Sequence, residues 1–168
     1  EAVTAFGGAY FFTVAVSSVE RLKQNQHITN RELTSTVIAV LILLLTTNKI
    51  AVFGVSISGV ICSFIIMSAS YLFRESGGAI MGTGATVGFL MIGNSTLTTF
   101  CYCISGLFSG LFSYSGRVLC AFSYIFAYGG AFLLFGGTKD QIARLIETAI
   151  ASVLFIIVPQ KLFLQVKL

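Results

Sequence analysis

Arg144 and Glu147 stand three residues apart in "TKDQIARLIETAIASVLFIIVPQ", Thr138 to Gln160, a stretch with little other charge. A guanidinium and a carboxylate at this spacing share one face of a helix. Two chemistries fit such a pair in an oily helix. One is a relay that hands on a proton or an ion, since an ionisable residue at membrane depth marks a functional site by default. The other is a structural clamp, in which Arg144 partly neutralises Glu147. A relay normally recruits several such groups, and no second acid accompanies Glu147 within the apolar spans, so the clamp is the favoured reading. Ala143 and Ala151 lie one turn to either side and leave room for a neighbouring helix to cover the carboxylate. Thr138 and Gln141 form a T-x-x-Q capping box, which starts the helix near Lys139. From there to Val158 the helix extends about 30 Å, one hydrocarbon thickness, and Pro159 closes it. That length puts Glu147 well inside the membrane.

Other catalytic chemistry is missing. No HExxH, GxSxG or P-loop pattern occurs. The single histidine, His27, falls in a polar loop, and Asp140 is the single aspartate. Five glutamates scattered along the chain do not assemble an oxygen-rich metal site. The sequence therefore offers no catalytic and no metal-ligating residue. Cys62, Cys101, Cys103 and Cys120 all fall in apolar runs without a CxxC pair and read as buried, inert thiols. Asn94-Ser95-Thr96 fits a glycosylation sequon formally, but a tight connection is a poor place for one.

The elements that must position Arg144 and Glu147 follow from the charge pattern. Only 10% of the 168 residues are charged and 56% are hydrophobic, against about 25% charged in soluble domains. No charge occurs over Ala2–Val19, Leu33–Asn48, Ile50–Phe73, Ser76–Ser115, Val118–Thr138 or Thr148–Gln160. Runs of roughly 17–25 apolar residues are what a transmembrane helix requires. The expected fold is an all-α, polytopic membrane bundle forming one domain over residues 1–168, with the lipid bilayer as its principal partner. Spans are expected at 2–19, 33–45 and 50–73, then two within the forty residues 76–115. Those forty residues would extend about 60 Å as one helix, twice the hydrocarbon core, so they must reverse, and "GNST", Gly93 to Thr96, is the turn signal. Spans at 118–135 and 140–158 make seven. The breaks are "ERLKQNQHITNRE", "TTNK" and "RESGG".

The net charge of +4 is spread as single cations between spans, which excludes a nucleic-acid surface. Arg21, Lys23, Arg31, Arg74, Arg117, Lys161 and Lys167 fall on one side of the expected topology, and Lys49, Lys139 and Arg144 on the other. The bias places the C-terminus in the cytoplasm.

A packing signal accompanies the spans. "GGAIMGTGATVG" places Gly78 four residues from Gly82 and Gly84 four from Gly88, and "SGLFSGLFS" does the same with Gly106 and Gly110. Small residues four apart make a ridge on which another helix, or a second copy of the chain, can approach closely.

Taken in order, "GGAIMGTGATVGFLMIGN", "ISGLFSGLFSYSGRV" and "LIETAIASVLFIIVPQKL" resemble the membrane domain of the stage II sporulation protein E family. The likeness runs from about Arg31 to Lys161, and Glu147 and Pro159 match that family's last membrane helix. The resemblance implies a bacterial inner-membrane protein with several spans. In that family they precede a cytoplasmic, manganese-dependent PP2C-type serine phosphatase. That phosphatase dephosphorylates an anti-anti-sigma factor and so activates a forespore sigma factor. Its membrane part gathers at the polar septum with the tubulin-like division protein. The chain is expected to be a piece of a longer protein: no catalytic residue of the phosphatase carries over to any position here, and manganese is expected only for the phosphatase. The leading expectation is thus a membrane anchor and assembly module. The alternatives are a small-molecule or ion transporter or channel, suggested by Gly-interrupted helices around one buried acid, and a purely structural septal scaffold.

Overall fold

Ser56 has extended torsions (φ −83°, ψ 122°), and its hydroxyl accepts the Gly59 N–H at 3.1 Å. It therefore caps a helix and fixes where that helix starts. The computed structural model describes Ala39 and residues 51–52, 55–134 and 139–158. The chain divides into two units, Glu1–Leu43 with Pro159–Leu168, and Leu44–Val158. The second unit holds four α-helices among the described residues: α1 (Ile57–Met91), α2 (Thr96–Phe112), α3 (Arg117–Leu134) and α4 (Lys139–Ile157). Two short strands precede them, β1 (Ala51–Val52) and β2 (Val55–Ser56), paired antiparallel with Ala51 opposite Ser56 and Val52 opposite Val55.

α1 is broken at Arg74, whose torsions (φ 58°, ψ −135°) leave the helical region. A Cβ on Gly77 would meet the Ala69 carbonyl, and one on Gly78 would lie 2.8 Å from the Ser70 hydroxyl. Residues eight apart in a straight helix are separated by about 12 Å along the axis, so the halves on either side of Arg74 fold back on each other. The chain turns again at Gly93 (φ 92°), where glycine carries no steric penalty, and Ser95 caps α2 by accepting from the Thr98 N–H at 3.4 Å. A 3₁₀ turn, Ser113–Ser115, and Gly116 (φ 121°) lead into α3.

The expected breaks at "RESGG" and "GNST" fall where the backbone leaves the helix, and the expected spans 118–135 and 140–158 agree with α3 and α4 to within a residue or so. One boundary differs. The span expected from Ile50 begins as a helix only at Ile57, because residues 51–52 and 55–56 pair as strands and Ser56 supplies the cap. The spans expected at 2–19 and 33–45, the loop bearing His27 and the turn "TTNK" lie outside the described residues, as do Pro159 and Thr138.

The interior of this unit is unusually polar and its exterior unusually apolar. Ser58, Ser63, Ser70, Ser105, Ser109 and Thr148 are fully buried beside Met67, Tyr124 and Phe155. Phe122, Phe126, Leu133 and Leu134 are at least 70% exposed. Most of the buried hydroxyls bond a carbonyl one turn back, as Ser70 does to Ile66 (2.8 Å) and Ser105 to Cys101 (2.6 Å). Some link helices: Thr86 donates to the Thr99 carbonyl at 3.1 Å, and Ser109 lies 3.0 Å from the Cys120 sulfur. Among the described residues, Ile57–Met91 with its two halves taken together, Thr96–Ser115 with the 3₁₀ turn included, and Arg117–Leu134 are long and apolar enough to cross a membrane by length and composition. α4 carries Lys139, Asp140, Arg144 and Glu147 in its first half and does not count among them.

Candidate functional site

The N-terminus of a helix leaves backbone N–H groups without intrahelical partners and attracts negative charge. At the head of α1 the Ser56 N–H donates to Glu147 Oε1 at 2.7 Å, across 91 residues of sequence. Glu147 is thus a carboxylate from α4 that caps α1. Its side chain is 2% exposed. It reaches this position because residue 59 is a glycine: a Cβ there would collide with Glu147 Oε2.

Arg144 stands on the same face of α4. Its Nη1 lies 3.6 Å from Glu147 Oε2, and its Nη2 donates to Asn94 Oδ1 at 3.1 Å. The guanidinium also sits over the Phe89 ring, 5.0 Å from its centroid. Phe89 stacks on Tyr102 (5.1 Å, 17°), and Tyr102 meets Tyr128 edge-on at 5.5 Å. One ion pair on α4 therefore touches the head of α1, the turn after α1 and, through Phe89, the aromatic core. A buried pair is costly to desolvate and more costly to break, because the survivor is left as an uncompensated charge. The arrangement can hold three helix ends in register.

A cavity of about 290 Å³ adjoins the pair, lined by Ser56, Asn94, Ser95, Thr98, Ala143, Arg144 and Glu147. Glu147 lies about two turns from Lys139 along α4, and the contacts of the pair set it beside the N-cap of α1 and the turn at Asn94. Ala151 is fully buried as the close-approach reading expects, whereas Ala143 lines the cavity.

The far end of the unit holds a second arginine site. Arg117, 8% exposed, donates through Nη2 to the Phe155 carbonyl in the last turn of α4 and lies over the Phe155 ring at 4.8 Å. Arg74 lies over the Tyr114 ring at 4.9 Å.

Of the glycines marked by their spacing, four meet backbone. A Cβ on Gly78 would collide with the Gly106 carbonyl, one on Gly106 would lie 2.6 Å from the Gly78 carbonyl, and one on Gly110 would lie 3.0 Å from the Arg74 carbonyl. Gly82 is slightly looser, 3.1 Å from the Tyr102 carbonyl. Gly84 and Gly88 are buried. Cys62, Cys101 and Cys120 are buried and unbridged, and Cys103 is half-buried.

Ser56, Gly59 and Asn94 belong to the site but were not singled out by spacing. The Ser56-x-x-Gly59 step before an apolar run is a readable cap signal, and Asn94 was legible only as a turn residue. That Gly59 accommodates a carboxylate has no signal in a single sequence. No family model matches the chain, and no curated protein or solved structure does either.

Proposed function

We propose that the chain is a multi-pass membrane anchor and assembly domain of the kind its sequence resembles, that of the membrane-bound sporulation phosphatase. The observation that carries this reading is the use made of Glu147. Its carboxylate caps α1 and neutralises Arg144, so the one acid that a transporter reading relies on is engaged in holding helix ends together. Helices faced with exposed phenylalanine and leucine around a hydroxyl-rich interior support a lipid-embedded unit.

In this proposal seven spans cross a bacterial inner membrane, the two halves of α1 counting separately, and the cation bias leaves the C-terminus in the cytoplasm. The backbone approaches at Gly78, Gly106 and Gly110 support close helix packing as the means of assembly. By the resemblance, a manganese-dependent phosphatase acting on a phosphorylated anti-anti-sigma factor follows in the parent protein. The domain gathers with the tubulin-like division protein at the septum.

The test combines topology and flux. A cytosol-active reporter should work after Leu168 and near Gln26, and an insertion near Gly137 should report the opposite face. In liposomes, proton or ion flux should be no higher than in empty vesicles and unchanged by Glu147→Gln. Flux that requires a carboxylate at 147 would overturn the anchor in favour of a transporter. Gln26 and Gly137 reporting the same face would refute the seven-span topology.

A further inference from the structure

An open groove of about 440 Å³ runs between α2 and α3. Phe108 and Phe112 line it from α2, and Val118, Phe122 and Phe126 from α3, with Ser123 as the one polar residue in its wall. These walls are accessible, since Phe122 is 70% and Phe126 79% exposed. From Val118 to Phe126 a helix rises about 12 Å, close to half of a hydrocarbon core of about 30 Å. The groove therefore has the depth of one leaflet. It begins beside the turn Ser113–Ser115, at the end of the unit that bears Arg74 and Arg117. A helix of a second copy would run through both leaflets, whereas the acyl chain of a lipid ends near the midplane.

The mouth of the groove offers a headgroup contact. Tyr114, 79% exposed, stands two residues from Phe112 and carries the Arg74 guanidinium 4.9 Å from its ring centroid. An exposed tyrosine of this kind belongs at the level of the lipid headgroups. Stacking occupies the face of the guanidinium and leaves its N–H edge, whose fork matches a phosphate. Two guanidiniums, Arg74 and Arg117, stand at this end against one carboxylate, the exposed Glu75, among the described residues. That balance favours a headgroup of net negative charge over a zwitterionic one.

We propose that the groove seats one anionic phospholipid of the leaflet on the Arg74 side. Its phosphate meets the Arg74 guanidinium, and one acyl chain lies between Phe112 and Phe126. The seat rests on the reading of this unit as lipid-embedded, and adds to it a particular class of lipid at a particular place.

The full chain in detergent is titrated with phosphatidylglycerol, with phosphatidylcholine of the same acyl chains and with glycerol phosphate, and bound molecules are counted by native mass spectrometry. One phosphatidylglycerol per chain is expected, held about fivefold more tightly than phosphatidylcholine, with glycerol phosphate not retained. Arg74→Gln should abolish the preference and leave phosphatidylcholine binding as it was. Ser123→Phe fills the groove and should remove both lipids while the thermal transition is retained. Should that variant fail to fold, Val118→Trp narrows the groove from its exposed side and should do the same. Lipid taken up without saturation, equal affinity for the two lipids, or full binding by a folded groove-filling variant would overturn the proposal. So would a dimer that excludes lipid and dissociates in Ser123→Phe, because a second copy would then occupy the groove. Recovery of the chain in the soluble fraction of cells would overturn the lipid-embedded reading along with the seat, whereas a membrane-bound chain without a saturable lipid would overturn the seat alone.

Discussion

The two ends of the helical unit solve the same problem with opposite charges. Where α1 begins, a carboxylate from α4 accepts the Ser56 N–H. Where α4 ends, a guanidinium from α3 donates to the Phe155 carbonyl. Each opposes the partial charge of the helix terminus it caps, a carboxylate at the positive N-terminus and a guanidinium at the negative C-terminus. The ends differ in what the charged group rests on. Arg117 and Arg74 lie over aromatic rings, while Glu147 lies against a bare backbone at Gly59 and keeps Arg144 beside it. A guanidinium tolerates an apolar, aromatic setting because its charge is spread over a weakly hydrated plane. A carboxylate has no such partner surface and needs N–H groups and a counter-charge.

The glycines differ between the ends as well. Towards the arginine end they meet backbone, Gly78 against Gly106 and Gly110 against Arg74, whereas Gly59 meets a side chain. Backbone cannot swing aside, so Gly78→Leu should have the largest effect. A loss of about 3 kcal/mol or more, the upper part of the overpacking range, is expected from unfolding in detergent. Tolerance at Gly78 equal to that of Phe100→Leu on the exposed face would mean that this contact is not tight.

Glu147→Ala should come next, at about 1–3 kcal/mol, since it leaves the Ser56 N–H without its acceptor and Arg144 without its counter-charge. Glu147→Gln should be milder, because the amide oxygen still accepts from Ser56. Equal losses for the two variants would show that charge, rather than the cap, sets the stability of that end.

Gly59→Ala should cost about 1–2 kcal/mol as the new methyl displaces the carboxylate. Its effect should largely vanish in a Glu147→Ala background, giving a coupling energy of about 0.5–3 kcal/mol in a double-mutant cycle. Strict additivity would separate Gly59 from the ion pair.

The smallest effect is expected at the exposed Arg74. Arg74→Gly forfeits a cation–π contact with Tyr114 of about 0.5–1 kcal/mol, while relieving a positive-φ residue of about 1 kcal/mol or more. The net change should stay within about 0.5 kcal/mol of zero in the same unfolding assay. A large destabilisation would assign the arginine a part in closing that end.

Much of this architecture was legible along the chain. "RESGG" and "GNST" announced their breaks because charge and glycine cannot continue an apolar helix cheaply, and the i,i+3 spacing of Arg144 and Glu147 announced their shared face. The strands at 51–52 and 55–56 were not legible, since a short apolar run reads equally as helix or strand. That Glu147 meets Ser56 was not legible, because counting residues from Lys139 measures position along α4 and says nothing of where the neighbouring helices begin.

By itself, then, the sequence determined the apolar spans, the breaks between them and the nearness of Arg144 to Glu147, because each depends on residues adjacent along the chain. Only the tertiary structure decided that Glu147 caps Ser56, that Gly59 makes room for it, and that Arg144 reaches Asn94 and Phe89. Those partners lie 50 to 91 residues away, and what joins them is the way α1 folds back at Arg74 and α4 packs alongside it. A local pattern fixes torsions and faces; which buried group meets which is settled by how the helices pack, where every polar atom removed from water must find its partner.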